Sequence, residues 1–470
     1  MTLHIYNTES REKEPITLAP HKKEIALYTC GPTVYNFAHI GNFRTYVFED
    51  LFRRTLEFFG LKVKQVMNLT DVDDKTIKGA LEKRVSLDEF TQFYKRAFFE
   101  DLKTLGIQKA HLYPSAIDYI PQMIAMIQHL IKKGLAYKGK EGSVYFSIRH
   151  FPAYGKLSHL CLSELKAGAS ERVTTDEYEK ESIADFVLWK GYDPERDGDI
   201  YWESPFGKGR PGWHIECSAM ATELLGATID IHMGGVDNIF PHHENEIAQS
   251  EGCSGKMFSR YWVHAEHLIV NGKKMSKSLG NFFTLRDLLD KGYSGTEVRY
   301  LLLSTHYRTQ LNFTLEGLNA ARQSLQRLED FVHRLKQVQE GKGASAQIKE
   351  TKDRFNAALA DDLNISVALA ALFDFIRHVN GDIDRNELSK EGASQVLAFL
   401  KEIDHVLGVI PLKEREEEIP KDIQEAFTRR QEARTQKNWA QADQERDYIQ
   451  SKGYLIEDSP TGSRVKKNIM

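Results

Sequence analysis

Two short runs hold the residues best suited to handling a nucleotide. His39-Ile40-Gly41-Asn42 follows an apolar run that ends at Cys30, and it opens a stretch with helical spacing. A helix start gathers unpaired backbone N–H groups and the positive end of the helix dipole, so it is an anion site. Gly41 lets the backbone approach a nucleotide closely, and the His39 imidazole can donate to a phosphate as charge builds. The second run is Lys274-Met275-Ser276-Lys277-Ser278, set between Gly272 and Gly280. Two lysines in a loop can close over a triphosphate and stabilise its transition-state charge. Taken singly, each run has a plainer reading: a capped helix start with an incidental histidine, and a solvated basic turn.

A third set is suited to sulfur and metal. The chain has four cysteines, Cys30, Cys161, Cys217 and Cys253, with no Cys-x-x-Cys pair. In a chain of 470 residues they do not read as a disulfide framework, which leaves free thiols or metal ligands. Cys217 lies in Gly212-Trp213-His214-Ile215-Glu216-Cys217-Ser218. His242 and Glu246 lie four apart in Phe240-Pro241-His242-His243-Glu244-Asn245-Glu246, on one face of a helix predicted to start near Pro241. Cys30, Cys217, His242 and Glu246 together make a zinc set. Zinc with room for a further ligand takes a substrate thiol and favours its thiolate, whereas a serine hydroxyl is harder and less acidic. That selects by bond chemistry where pocket size alone discriminates weakly. The alternative is two buried free cysteines beside a capped polar helix, since no pair has zinc-finger spacing. His243 competes with His242 as the ligand.

These residues need elements to position them. Residues 24–30 read as a buried strand, Gly41 to Phe59 as an apolar-striped helix stopped by Gly60, and 62–69 as a second strand. Strand, helix, strand is the parallel α/β unit, and ligands bind beyond the carboxyl ends of such strands. The loops there are Cys30–Asn42 and Asn68–Lys75. Residues from about 116 to 190 read as an insertion: a helix near Tyr119–Lys133, a hairpin of Leu135–Tyr137 and Ser143–Ser147, then an acidic stretch, Glu171–Ser182. The core resumes with a strand at Thr228–Met233. Beyond about residue 310 the spacing is helical, with Leu318, Ala321, Leu325, Leu328, Val332 and Leu335 on one face and Leu369 to Val379 on another. Lys342–Ala346 reads as a loop between helices, Glu414–Glu418 as a charged linker, and a last small module starts near Lys421.

Hydrophobic residues make up 41% and charged residues 28%, the balance of a soluble protein of two to four domains. The polar start and the lack of a long apolar run predict a cytoplasmic protein with no membrane partner. The formal charge of −4 argues weakly against RNA, so an RNA contact must use local basic patches such as Arg464, Lys466 and Lys467.

Paired in this order, the first two runs resemble the HIGH and KMSKS signatures of class I aminoacyl-tRNA synthetases, with Asn42 where the pattern's last histidine stands. The whole chain resembles the cysteinyl-tRNA synthetases. Matching segments include Tyr28-Thr29-Cys30-Gly31-Pro32-Thr33-Val34-Tyr35, Asn68-Leu69-Thr70-Asp71-Val72-Asp73-Asp74-Lys75, Asp185-Phe186-Val187-Leu188-Trp189-Lys190, Gly209-Arg210-Pro211-Gly212-Trp213 and Gly234-Gly235-Val236-Asp237. The resemblance implies an ATP-dependent ligase that activates L-cysteine and loads it onto tRNA(Cys). It implies one Zn2+ held by Cys30, Cys217, His242 and Glu246, Mg2+ with the ATP, and a monomer. By the same resemblance, His39, Gly41, Asn42, Asp237 and Lys277 bind ATP. Catalysis falls to His39, Asn42, Lys274 and Lys277, and Thr70 and Trp213 line the cysteine pocket. The fold it implies is a Rossmann-like parallel-sheet core split by a connective insertion, then a helical bundle and a small anticodon-binding module. The expected division is 1–115 and 191–265 for the two halves of the catalytic domain and 116–190 for the insertion. It continues with 266–310 for the KMSKS loop and stem contact, 311–410 for the bundle facing tRNA, and 411–470 for the anticodon module. Arg434, Lys437, Asn438, Trp439, Ala442 and Asp443 match that last module, while Val465 stands where the family usually has a tryptophan.

Overall fold

The computed structural model describes residues 1–19, 22–160, 185–276, 279–341, 343, 347–412, 420–459 and 462–467. Glu171–Ser182, the linker at Glu414–Glu418, Lys277 and most of Lys342–Ala346 therefore lie outside the described residues, as do the side chains of Arg464, Lys466 and Lys467.

The chain opens with a hairpin, β1 (His4–Asn7) and β2 (Glu12–Pro15), followed by β3 (Ile25–Thr29), whose five residues are all buried. Such an unbroken apolar run suits a strand covered on both faces. Helix α1 (Ile40–Phe58) buries Ile40, Phe43, Val47, Leu51 and Leu56, and it stops where Gly60 takes φ +83°. Then come β4 (Val63–Met67), α2 (Asp74–Lys83), α3 (Leu87–Thr104) and α4 (Ile120–Lys132). An antiparallel sheet follows, ordered β5 (Ala136–Lys138), β6 (Val144–Phe146), β7 (Phe186–Gly191), β8 (Gly209–Pro211). Helix α5 (Trp213–Leu225), β9 (Ile229–Gly235), α6 (Glu244–Ser254) and β10 (Ser259–Ala265) complete the core.

The core sheet is parallel throughout, in the order β10-β9-β3-β4. All four carboxyl ends therefore open on one edge, where Cys30, Asn68–Asp71, Gly234–Asp237 and Ala265 meet. The antiparallel insertion is fastened to this edge. Glu244, fully buried at the head of α6, accepts the backbone N–H groups of Gly155 (2.8 Å), Leu157 (3.1 Å) and Ser158 (2.8 Å). Asp74 at the start of α2 pairs with Lys190 at 2.7 Å and with Arg210.

After β11 (Leu268–Val270), β12 (Lys273–Lys274), α7 (Leu285–Asp290), α8 (Gly295–Leu303) and β13 (Leu311–Phe313), the chain is helical. The bundle comprises α9 (Leu315–Gln337), α10 (Ile348–Ala360), α11 (Ile365–Asp384) and α12 (Lys390–Leu407). Its joint to the core is Asp362, fully buried, which accepts from the Tyr6 N–H at 2.9 Å, the Tyr307 hydroxyl at 2.5 Å and the Arg308 guanidinium at 2.8 Å. Asp362 and Leu363 both take positive φ, 59° and 51°, to turn the chain there. The last module has its own small core: Ile423 and Ala426 on α13 (Lys421–Thr435), Ile449 on α14 (Trp439–Ser451), and a hairpin of β14 (Tyr454–Ser459) and β15 (Gly462–Lys467). Val465 packs against this core. Among the described residues no helix is long and apolar enough to cross a membrane.

Candidate active site and metal cluster

Each sulfur and nitrogen donor comes from a different element. Cys30 follows β3 directly, its N–H bonded to the Met233 carbonyl at 3.2 Å. A Cβ on Gly31 would lie 1.8 Å from the Asn68 carbonyl oxygen, so only glycine lets the two strand ends close together there. Cys217 stands one turn into α5 and Glu246 in the first turn of α6. The helical start expected near Pro241 is present: Phe240 is extended (φ −137°, ψ 132°), which kinks the chain, and the helical turn ending at His243 runs directly into α6, so His242 meets Glu246 as an i, i+4 pair.

The donor atoms of Cys30, Cys217, His242 and Glu246 all lie within 4.8 Å of one another, and all four residues are buried. A second set, Cys30, His232, His243 and Glu246, meets the same limit. Glu246 is shared between His242 Nε2 at 3.1 Å and His232 Nε2 at 2.9 Å. His243 Nε2 lies 3.2 Å from the Cys30 sulfur, and its other nitrogen pairs at 2.8 Å with His264, which pairs with Thr8 at 2.7 Å. His214 pairs with His242 at 2.8 Å, Nδ1 to Nδ1.

The protonation states fit a cation. Burial pushes the Cys30 thiol up, and its hydrogen bond to Cys217 holds the Cys217 thiol below the usual range. Burial works against charge on His242, yet Glu246 and Cys217 together raise it. Burial also works against the Glu246 carboxylate, but His232 and His242 hold it well below the usual range. The cluster thus favours a thiolate and a carboxylate beside one imidazolium and a neutral thiol, and a bound dication would take the place of the protons on His242 and Cys30.

Above the cluster lies a cleft of about 1350 Å³ whose wall includes Cys30, His39, Gly41, Asn42, Trp213, Asp237 and Lys274. His39 caps α1: its Nδ1 accepts the Asn42 N–H at 3.1 Å, while Asn42 Oδ1 accepts the His39 N–H at 3.1 Å. Asn42 therefore closes a capping box through its carbonyl. Burial lowers the His39 pKa, so the ring is neutral at pH 7, with Nε2–H left to donate. A Cβ on Gly41 would sit 3.0 Å from the His39 ring and 3.3 Å from Met275. The loop bearing Lys274 is stitched to this helix start by the Ile40 N–H on the Phe283 carbonyl (3.0 Å). Trp213 is 43% exposed and stacks on His242 at 4.3 Å. Thr70 is buried, its hydroxyl donating to Glu216 at 2.7 Å, and it does not reach the cleft wall.

Sequence reasoning missed His214, His232 and His264, which surround the cluster, and Arg44. Arg44 on α1 is buried, and burial lowers its pKa to about 10. It donates to the carbonyls of Leu302, Thr305 (3.0 Å) and His306 (2.8 Å).

The parallel sheet, whose carboxyl edge joins a capped histidine helix start to a lysine loop, is that of a class I tRNA synthetase, as the match to known families shows. Residues 17–323 match the family model "tRNA synthetases class I (C) catalytic domain", and 354–411 match the "DALR domain". Among solved structures, methionyl-tRNA synthetase of Mycobacterium tuberculosis in complex with methionyl-adenylate superposes with a TM-score of 0.61 at 15% identity, over 82% of this chain and 92% of that one. The leucyl enzyme of Agrobacterium radiobacter, solved with tRNA, gives 0.59 at 12% identity, over 83% and 85%. Those likenesses carry the fold. The cysteine--tRNA ligase of Protochlamydia amoebophila is 62% identical over 99% of this chain and 98% of its own length. That of Chlamydia felis is 58% identical over the same shares. The chain belongs to the cysteine--tRNA ligase family.

Proposed function

We propose that the chain activates L-cysteine with ATP and transfers it to the 3′-terminal ribose of tRNA(Cys). The observation that carries this reading is the meeting of Cys30, Cys217, His242 and Glu246 beneath the cleft that Cys30, His39, Gly41 and Lys274 line. Cys30, Cys217, His242 and Glu246 would hold Zn2+, which supplies an open position that takes sulfur as thiolate and passes over a hydroxyl. Trp213, fixed by stacking on His242, walls the pocket beside it. Asp237, in the turn after β9, accepts the ribose hydroxyls of ATP. The α1 N-terminus and the His39 Nε2–H meet the phosphates, with Mg2+ accompanying the nucleotide. Asn42 serves by holding His39 in place. The cysteine carboxylate attacks the α-phosphorus and pyrophosphate leaves, with Lys274 and Lys277 stabilising the charge that develops. The terminal 2′-OH then attacks the carbonyl carbon of the cysteinyl-adenylate, forming the ester as the bond to phosphate breaks and AMP leaves. Positioning supplies the rate, so no side-chain nucleophile is required. The bundle and the last module, with exposed Trp439, bear on the tRNA, and a single chain in the cytoplasm is the working unit.

The test is cysteine-dependent ATP–pyrophosphate exchange with serine as control, run beside Cys217→Ser. The variant is expected to lose zinc and cysteine affinity by at least about tenfold while ATP affinity holds. Serine-supported exchange in the parent, or unchanged zinc and cysteine affinity in the variant, overturns the reading.

A further inference from the structure

The cleft is larger than one adenylate requires. Small-molecule sites run to about 300–1000 Å³, and this one is about 1350 Å³. Most aromatic rings in its wall are already engaged. Trp213 stacks on His242, Phe186 stacks on Phe146 at 5.0 Å, and Phe282 meets the His39 edge at 5.3 Å. Phe37 has Phe93 and Tyr94 at its edges and Arg286 over its face at 4.8 Å. Tyr35 differs. It is 38% exposed in the cleft wall and has no aromatic partner among the described residues; one face carries the Lys75 ammonium, 5.0 Å from the ring centroid.

Lys75 differs in the same way. Its neighbours Lys190 and Arg210 both pair with Asp74, and Arg210 also with Asp197. Asp73 spends an oxygen on the backbone N–H of Lys75, at 2.6 Å, to cap α2. The Lys75 ammonium, exposed and also in the cleft wall, makes no ion pair among the described residues. The cleft therefore holds an exposed ring without an aromatic partner, topped by a cation that feels Asp73 through space but makes no ion pair among the described residues, next to the ion pairs that tether the insertion. That pairing is how proteins grip single-stranded nucleic acid: a base stacks on the ring and a phosphate meets the cation.

We propose that Tyr35 and Lys75 seat the single-stranded 3′ end of the tRNA, with a terminal base on the Tyr35 ring and a backbone phosphate at Lys75. This rests on the functional reading above. It assigns the two residues to the transfer step and not to activation, and it requires the ring of Tyr35 but not its hydroxyl.

The experiment uses the full-length protein and a tRNA(Cys) transcript. Cysteine-dependent exchange measures activation, and single-turnover transfer from preformed cysteinyl-adenylate at subsaturating tRNA measures the second step. Tyr35→Ala is expected to slow transfer roughly ten- to a hundredfold, the usual loss for one stacked base, and at least tenfold more than it slows exchange. Tyr35→Phe is expected to stay within about threefold of the parent in both. Lys75→Met should lower the salt slope of the apparent tRNA affinity by about 0.7, the value for one phosphate on a single strand. Equal losses in both steps, a Tyr35→Phe as slow as Tyr35→Ala, or an unchanged transfer rate overturns the proposal. A parent that lacks cysteine-dependent exchange removes the functional reading itself. A parent with normal exchange, beside a Tyr35→Ala with normal transfer, removes only the seat.

Discussion

His232 offers a direct measure of how the candidate metal cluster is held. It stands on β9, donates from Nε2 to Glu246 Oε2 at 2.9 Å, and stacks on Trp262 at 4.6 Å and 20°. Its Nδ1 has no partner among the described residues. Replacing it with phenylalanine keeps the ring and the stacking but removes one hydrogen bond to a carboxylate. A hydrogen bond to a charged group is worth about 1.5–3 kcal/mol, and each 1.4 kcal/mol is about a tenfold change in affinity. His232→Phe should therefore weaken zinc binding roughly ten- to a hundredfold, the range found when a residue that orients a metal ligand is lost. Chelator competition on the full-length protein reads this, with ATP affinity as the internal control. His232→Gln, whose amide nitrogen falls near the Nε2 position, should recover part of the loss. A folded His232→Phe that keeps parental zinc affinity would refute the argument, because Glu246 would then need no fixing from β9.

Asp362→Asn keeps the volume and the tolerance for positive φ but removes the charge that Arg308 faces. Removing one partner of a buried pair costs about 3–5 kcal/mol; with the Arg308 side chain 37% exposed, about 2–3 kcal/mol is expected after solvent screening, read as a lower urea midpoint. An unchanged midpoint would show the joint to be dispensable. In the last module, hydrogen bonds from Arg430, then Ser463, with Arg434 also contributing, hold the Asp458 carboxyl below its ordinary range. A depressed folded pKa stabilises above the unfolded value, about 3.9, and that contribution fades as pH falls below it. Fluorotryptophan NMR at Trp439 should follow the module loosening below about pH 4, with Asp458→Asn flattening the pH dependence. Equal acid sensitivity in parent and variant would dismiss the carboxylate as the cause.

The β3–α1–β4 unit was legible because apolar periodicity, a capping run and a terminal glycine all agree over one continuous stretch. The cluster was legible only in part. Cys30, Cys217, His242 and Glu246 stand out by residue type, but His214, His232 and His264 come from α5, β9 and β10 and meet only once the sheet forms. The i, i+4 pair His242 and Glu246 was legible because helical backbone runs on from Pro241 into α6, with the extended Phe240 marking the kink before it. At Asn42 the resemblance implied a contact to ATP, and in the structure its side-chain carbonyl caps the helix, a role set by the backbone N–H of His39.

Glu244 gives the insertion a meaning that sequence segmentation hides. It sits two residues before Glu246 on α6, and its carboxylate is fully spent on three amides of the inserted segment. Trimming that segment would strand a buried carboxyl group within one helical turn of the cysteine–histidine–glutamate cluster. A stretch that interrupts the core in the linear chain is thus a wall of the pocket in space, and a shortened enzyme would have to replace those three amides before it could spare the residues that carry them.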